Sequence, residues 1–249
     1  IAKIIERDEN LNSPNNKRAA KLRAKTVMFD EMTPSIIMAG FPMLDWIDIA
    51  MSPVCLPGEV DQNANIMYVD AAERMGLAAD VSAEVGCAIV DDYPQVGSSF
   101  ITSSMPCDGS LGAALFMDRY MKKLPSFTLT PPQRFNEPET NAYAVKDLKN
   151  CIRFIEETYD VKWDWDAFWK KAEEYNKTTQ CMLDKWDVNC TPYPQVIGSA
   201  LSLQREYEFQ TAACLDPFMT KQDEKVTKMM LKGYEKDREA DRRDYKYRA

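Results

Sequence analysis

Cys107 is the residue whose type and setting most readily imply chemistry. It lies in the stretch Gly97-Ser-Ser-Phe-Ile-Thr-Ser-Ser-Met-Pro-Cys-Asp-Gly-Ser. Phe100-Ile-Thr is short, apolar and β-branched, which predicts a buried strand. Pro106 cannot donate to a sheet ladder and ends that strand. Cys107, Asp108 and Gly109 then make a tight turn, and Leu111-Gly-Ala-Ala-Leu-Phe-Met opens a helix. The thiol therefore stands at the carboxyl end of a strand, where open α/β sheets bind ligands. The first turn of the following helix favours a thiolate or another anion there. A buried, inert cysteine in a βα turn is the competing reading of the same pattern. Asp108 and Glu59 are candidate bases, although a cap on the following helix accounts better for Asp108.

What is missing narrows the chemistry further. The 249 residues contain no histidine. That removes Ser-His-Asp and Cys-His catalysis, imidazole-ligated metals and imidazole acid–base work. Seven cysteines are scattered along the chain without a C-x-x-C pair. Their odd number and spacing argue against a disulfide framework or a zinc knuckle, and a reducing cytoplasm suits them. Neither a Walker loop nor G-x-G-x-x-G is present, so a nucleotide at the Cys107 turn has no motif behind it. The net charge is −8 and the sequence pI about 4.8, which disfavours nucleic acid or an anionic membrane as the main partner. No apolar run reaches the roughly 18 residues of a membrane span.

The elements that must position Cys107 follow from periodicity. Residues 1–27 read as a charged helical arm, with its helix over Lys17 to Thr26. Residues 28–135 alternate strand and helix and imply an α/β domain. Ile36-Ile-Met-Ala-Gly-Phe-Pro reads as a strand, Leu44 to Ala50 as a short helix, and Pro53-Val-Cys-Leu-Pro-Gly as the exit of a second strand. Asn65 to Met75 carries a helical stripe of Ile66, Val69, Ala72 and Met75. Another helix starts at Asp80, and Ser126-Phe-Thr-Leu-Thr is a strand closed by two prolines. The expected fold is therefore α/β, with a doubly wound, mostly parallel sheet followed by a helical domain over 139–249.

In that second half, Val145, Leu148, Ile152, Ile155 and Tyr159 form one amphipathic stripe. Asp164 caps the next helix. Trp163, Trp165, Phe168 and Trp169 read as core, as do Cys181 and Cys190. Another helix covers Gly198 to Ala213, and the charged helix Lys221 to Arg243 reads as surface. Ile1 in place of Met, and the lack of a closing turn after Tyr245, imply a chain that extends at both ends.

Several stretches, in order, resemble the 2-hydroxyacyl-CoA dehydratase and benzoyl-CoA reductase family. They are Gly40-Phe-Pro with Val54-Cys-Leu-Pro-Gly-Glu, Ala71-Ala-Glu-Arg-Met-Gly with Asp80-Val-Ser-Ala-Glu-Val-Gly, and the Pro-Cys-Asp turn at 106–108. Leu124-Pro through Thr130-Pro-Pro, Ile155-Glu-Glu with Trp163-Asp-Trp-Asp-Ala-Phe, and Lys246-Tyr-Arg complete the series. The resemblance implies the N-terminal part of a longer subunit that pairs with a homologous second subunit. It implies a [4Fe–4S] cluster beside an acyl-CoA thioester, and an ATP-dependent activator protein that injects one electron. Water then leaves a 2-hydroxyacyl-CoA, or, in the reductase branch, electrons enter an aromatic ring. Cys107 matches one cluster cysteine of the family. Ser82 stands where the family has an earlier one, so the cofactor-binding positions implied here are Cys107 and Ser82, with Cys107 the metal ligand. A serine hydroxyl is a poor ligand for soft iron. Cys87 lies one and a half helical turns further on and faces elsewhere, and Met38-Ala-Gly replaces the hydroxyl-rich strand end of characterised dehydratases. The same departures suit a cluster-free scaffolding subunit.

Overall fold

The computed structural model describes residues 17–29, 33–48, 62–74, 97–104, 124–132, 137–211 and 217–243, with isolated positions between 86 and 122. Its described residues fall into two compact units. One draws on Ile1–Thr33 and Phe41–Trp163, the other on Pro34–Gly40 and Asp164–Ala249.

The first unit is built on four parallel strands: β1 (Thr26–Phe29), β2 (Asp45–Asp48), β3 (Ser99–Ser103) and β4 (Ser126–Leu129), in the order β2-β1-β3-β4. All residues of β1 and β3 are buried, as expected of inner strands in a parallel sheet. Val27, Met28, Phe100 and Ile101 are each fully enclosed. Burial of such side chains contributes about 1.5–3 kcal/mol apiece. Val27 pairs with Ser99 and Met28 with Phe100. Gly97 makes this close approach possible, since a Cβ there would lie 2.5 Å from the Thr26 carbonyl oxygen.

Helices accompany the strands. Helix α1 (Lys17–Arg23) precedes β1, α2 (Gln62–Arg74) follows β2, and α3 (Pro138–Tyr159) follows β4. Proline opens α3, where its missing N–H costs nothing, and Asp160 ends it in the left-handed region with φ 52°. Cys151 and Ile155 of α3 are fully buried, and the Phe154 ring packs at a tilt against Phe127 of β4, with ring centres 5.6 Å apart. At the amino ends of the strands, the Tyr159 hydroxyl donates to the Thr26 carbonyl (2.7 Å) and accepts from Ser99 Oγ (2.8 Å).

The second unit is helical: a 3₁₀ helix (Ser35–Gly40), α4 (Trp165–Asn189), α5 (Gly198–Thr211) and α6 (Pro217–Glu239). Asp164 caps α4 as expected, its carboxylate accepting from the Ala167 N–H at 2.9 Å. The centre of this unit is polar. Lys185 of α4 is completely buried in an ion pair with Asp223 of α6, and Gln204 of α5 donates to the same carboxylate at 2.9 Å. The Thr178 and Thr220 hydroxyls meet at 3.2 Å beside them. The loop after α4 is clasped to α6 by Gln195, which donates to Asp237 at 3.2 Å, and to the segment after α6 by Tyr193, which donates to Asp241 at 2.7 Å. The Gln195 side chain rests on Gly233, where a Cβ would come within 2.1 Å of its Oε1.

Several expectations are corrected. Thr26 begins β1 and does not close the arm helix. The apolar run at 36–39 is part of the 3₁₀ helix: Ile37 and Met38 are buried in the helical unit, so its apolar character reflects that core and not a sheet. Asp45–Asp48 is a strand in place of the expected short helix, because pairing with β1 outweighs a pattern too short to show a period. In α2 the enclosed residues are Tyr68 and Ala72, while Ile66 is 68% exposed. Val145 and Leu148 of α3 are exposed, since the buried face runs through Cys151 and Ile155. Trp165 and Trp169 are half or more exposed and stack on each other at 6.2 Å, and Cys190 is exposed at the end of α4. Helix α6 is no mere surface helix, because Thr220, Asp223, Thr227 and Met230 are buried. The strand exit at 53–58 and nearly all of the helices expected from Asp80 and Leu111 lie outside the described residues.

Candidate functional site at the carboxyl ends of the strands

Strand β1 has β2 on one side and β3 on the other, so successive strands are laid down in opposite directions from it. In an open parallel sheet, the crevice at such a reversal, beyond the carboxyl ends, is where ligands bind. Phe29 and Ser103 mark those ends here. The Thr33 hydroxyl, buried, donates to the Ile101 carbonyl at 3.1 Å and ties the segment after β1 to β3. The Ser104 N–H donates to the Leu129 carbonyl at 2.8 Å and extends the pairing of β3 with β4 past the strand end. Three positions after Ser104 comes Cys107. Cys107 and Ser82, together with Glu59, Asp108, Cys55 and Cys87, lie outside the described residues.

Next to Ser104's partner strand is a polar group that sequence reasoning missed. Thr130, the residue after β4, donates its N–H to Asp147 Oδ2 of α3 at 2.7 Å, and its hydroxyl lies 3.3 Å from the same oxygen. The Tyr143 hydroxyl makes a short contact with the Thr130 hydroxyl. Thr130 and Asp147 are half-buried, whereas Tyr143 is 47% exposed. No motif joins these residues, which are separated by a proline pair and the helix start. The available signals were the single turn between 143 and 147 on α3 and the position of Thr130 at a strand end.

The described cysteines do not form a metal cradle. Cys151 is fully enclosed; burial, and secondarily the Asp147 carboxylate, push its thiol far above the ordinary range. Burial also raises Cys181, against a hydrogen bond with Thr227 that lowers it. Burial thus disfavours at both positions the thiolate form that ligates metals. Among the described residues, no group of three or more His, Cys, Asp or Glu side chains is placed to hold a metal ion. No helix among them is long and apolar enough to cross a membrane.

Comparison with known proteins gives one family. Residues 67–245 match the family model described as 2-hydroxyglutaryl-CoA dehydratase, D-component. No curated protein matches the chain.

Proposed function

Because the chain belongs to the 2-hydroxyglutaryl-CoA dehydratase D-component family, we propose that it acts as one subunit of an enzyme that removes water from a 2-hydroxyacyl-CoA. The family match over 67–245 is the observation that carries this reading. The parallel sheet is in keeping with it, since β3, beside the strand order's reversal, ends at Ser103, four positions before Cys107 in sequence. A D-component implies a second component, and the proposed partner is a homologous subunit, with an ATP-dependent activator acting on the pair. A cytoplasmic setting belongs to the same proposal.

The Cys107 thiolate is the proposed ligand of a [4Fe–4S] cluster. When bound, the cluster would supply one-electron chemistry beside the acyl thioester. The chain's own contribution is to hold and shelter. The enclosed strands β1 and β3 fix the floor of the crevice, and the Thr33 and Ser104 bonds keep its rim in register. Ser82 favours a second reading, in which this subunit carries no cluster and scaffolds a catalytic partner, because an alkoxide binds soft iron poorly.

Anaerobic purification of the full-length protein with its partner subunit tests both. The expected outcome is stoichiometric iron and sulfide that fall, with dehydratase activity, in Cys107→Ala. Iron and activity unchanged in that variant would establish the scaffold reading. A complete anaerobic complex that dehydrates no 2-hydroxyacyl-CoA would sink the proposed function itself.

A further inference from the structure

We infer that the helical unit binds a water molecule in its interior, bridging the Lys185 ammonium of α4 and the Asp223 carboxylate of α6. Both side chains are shut away from solvent, with Lys185 at 0% and Asp223 at 5% exposure. Their hydrogen bonds do not balance. Asp223 Oδ1 takes both side-chain donors that reach this carboxylate, Lys185 Nζ and, at 2.9 Å, Gln204 Nε2. Oδ2 is equally buried and accepts no hydrogen bond from a described residue. The nearby Thr227 hydroxyl is committed elsewhere, to the Asp223 backbone carbonyl at 2.8 Å. An ammonium carries three N–H donors, and among the described residues Lys185 has Oδ1 as its one partner.

A buried carboxylate oxygen without a donor bears its full desolvation cost, and ordered water is the usual remedy in protein interiors. One molecule answers both deficits. The two oxygens of a carboxylate share one carbon, so a water donating to Oδ2 also comes within reach of the ammonium held at Oδ1. Its own oxygen then accepts one of the free N–H groups. The occupant must both donate and accept. A metal ion is repelled by the ammonium and an anion by the carboxylate, which leaves a small neutral molecule. The bridge ties α4 to α6 a second time, at the point where Gln204 joins α5 to them. The site is independent of the dehydratase reading.

A high-resolution crystal structure of the full-length protein, with relaxation dispersion of water oxygen in solution, tests this. The comparison is wild type against Lys185→Met with Asp223→Leu, which removes both charges together and so strands neither. The expected result is density for one water within hydrogen-bonding distance of Asp223 Oδ2 and Lys185 Nζ. The solution measurement should show one long-lived water that the double variant lacks. A protein donor sitting directly on Oδ2 overturns the inference, as does a site without density or with density for a larger group. An equal number of long-lived waters in the two proteins also overturns it. Should the double variant fail to fold, the wild-type crystal structure decides alone.

Discussion

Val27, Met28, Phe100 and Ile101 fill the centre of the sheet unit, whereas Lys185 and Asp223 meet at the centre of the helical unit. The two interiors are specified by different physics. In the sheet, apolar side chains on both faces of β1 and β3 make burial nearly indifferent to which neighbour is touched, and backbone pairing sets the register. In the helical unit, an ion pair out of water is satisfied in one geometry only. It lends little net stability, yet it penalises any arrangement of α4, α5 and α6 that separates lysine from aspartate. One core therefore tolerates exchange among apolar residues, and the other tolerates only concerted replacement.

The sharpest way to break this contrast is Lys185→Ala, which strands a buried carboxylate. The expected loss is about 3–5 kcal/mol, read as lowered hydrogen-exchange protection in peptides of α4 and α6. The double variant Lys185→Met with Asp223→Leu is expected to restore most of it. A double variant as unstable as the single one would show that the pair is not the controlling feature. In the sheet, Ile101→Ala is expected to cost about 2–5 kcal/mol through the cavity it leaves, with lost protection in peptides of β1 and β3. Ile101→Val should cost about 1 kcal/mol, and a cost as large as that of alanine would contradict the tolerance claimed for this core.

The smallest expected effect tests the polar exception within the sheet unit. Burial pushes the Tyr159 hydroxyl up from 10.0 to about 12, against hydrogen bonds from Ser99 and nearby backbone that lower it. The folded state thus keeps a proton that the unfolded chain loses. Its contribution is complete below pH 10.0 and disappears as pH rises towards about 12. Chemical denaturation across that window should show stability falling with pH, with a shallower fall in Tyr159→Phe. That variant is expected to cost about 1 kcal/mol at neutral pH.

Legibility in the sequence followed the same division. Strands β3 and β4, with apolar or β-branched residues bounded by prolines, could be read directly, as could the Asp164 cap and the helices from 138 onward. Strand β1 was hidden because Thr26-Val-Met-Phe continues an arm of helix-forming residues without a break. The 3₁₀ helix misled for the opposite reason: Ile36-Ile-Met looks like sheet, but it is apolar to meet helices. Lys185 and Asp223 could not be paired by reading, since each sits in a helix dense with charge and 38 residues separate them. At the candidate site, the strand leading to Cys107 was legible. The Thr130, Asp147 and Tyr143 group was not, because its members converge only once α3 folds back on β4.

The loop clasp on α6 has a practical corollary for anyone engineering this protein. Replacing a mid-helix glycine with alanine ordinarily raises thermal tolerance, by about 1 kcal/mol. At position 233 the added methyl would collide with Gln195 and force that amide to release Tyr193 and Asp237. Because the Gln195 Oε1 it meets ends a flexible side chain, the amide can swing aside, and the usual gain would be reduced only by the latch bonds it gives up.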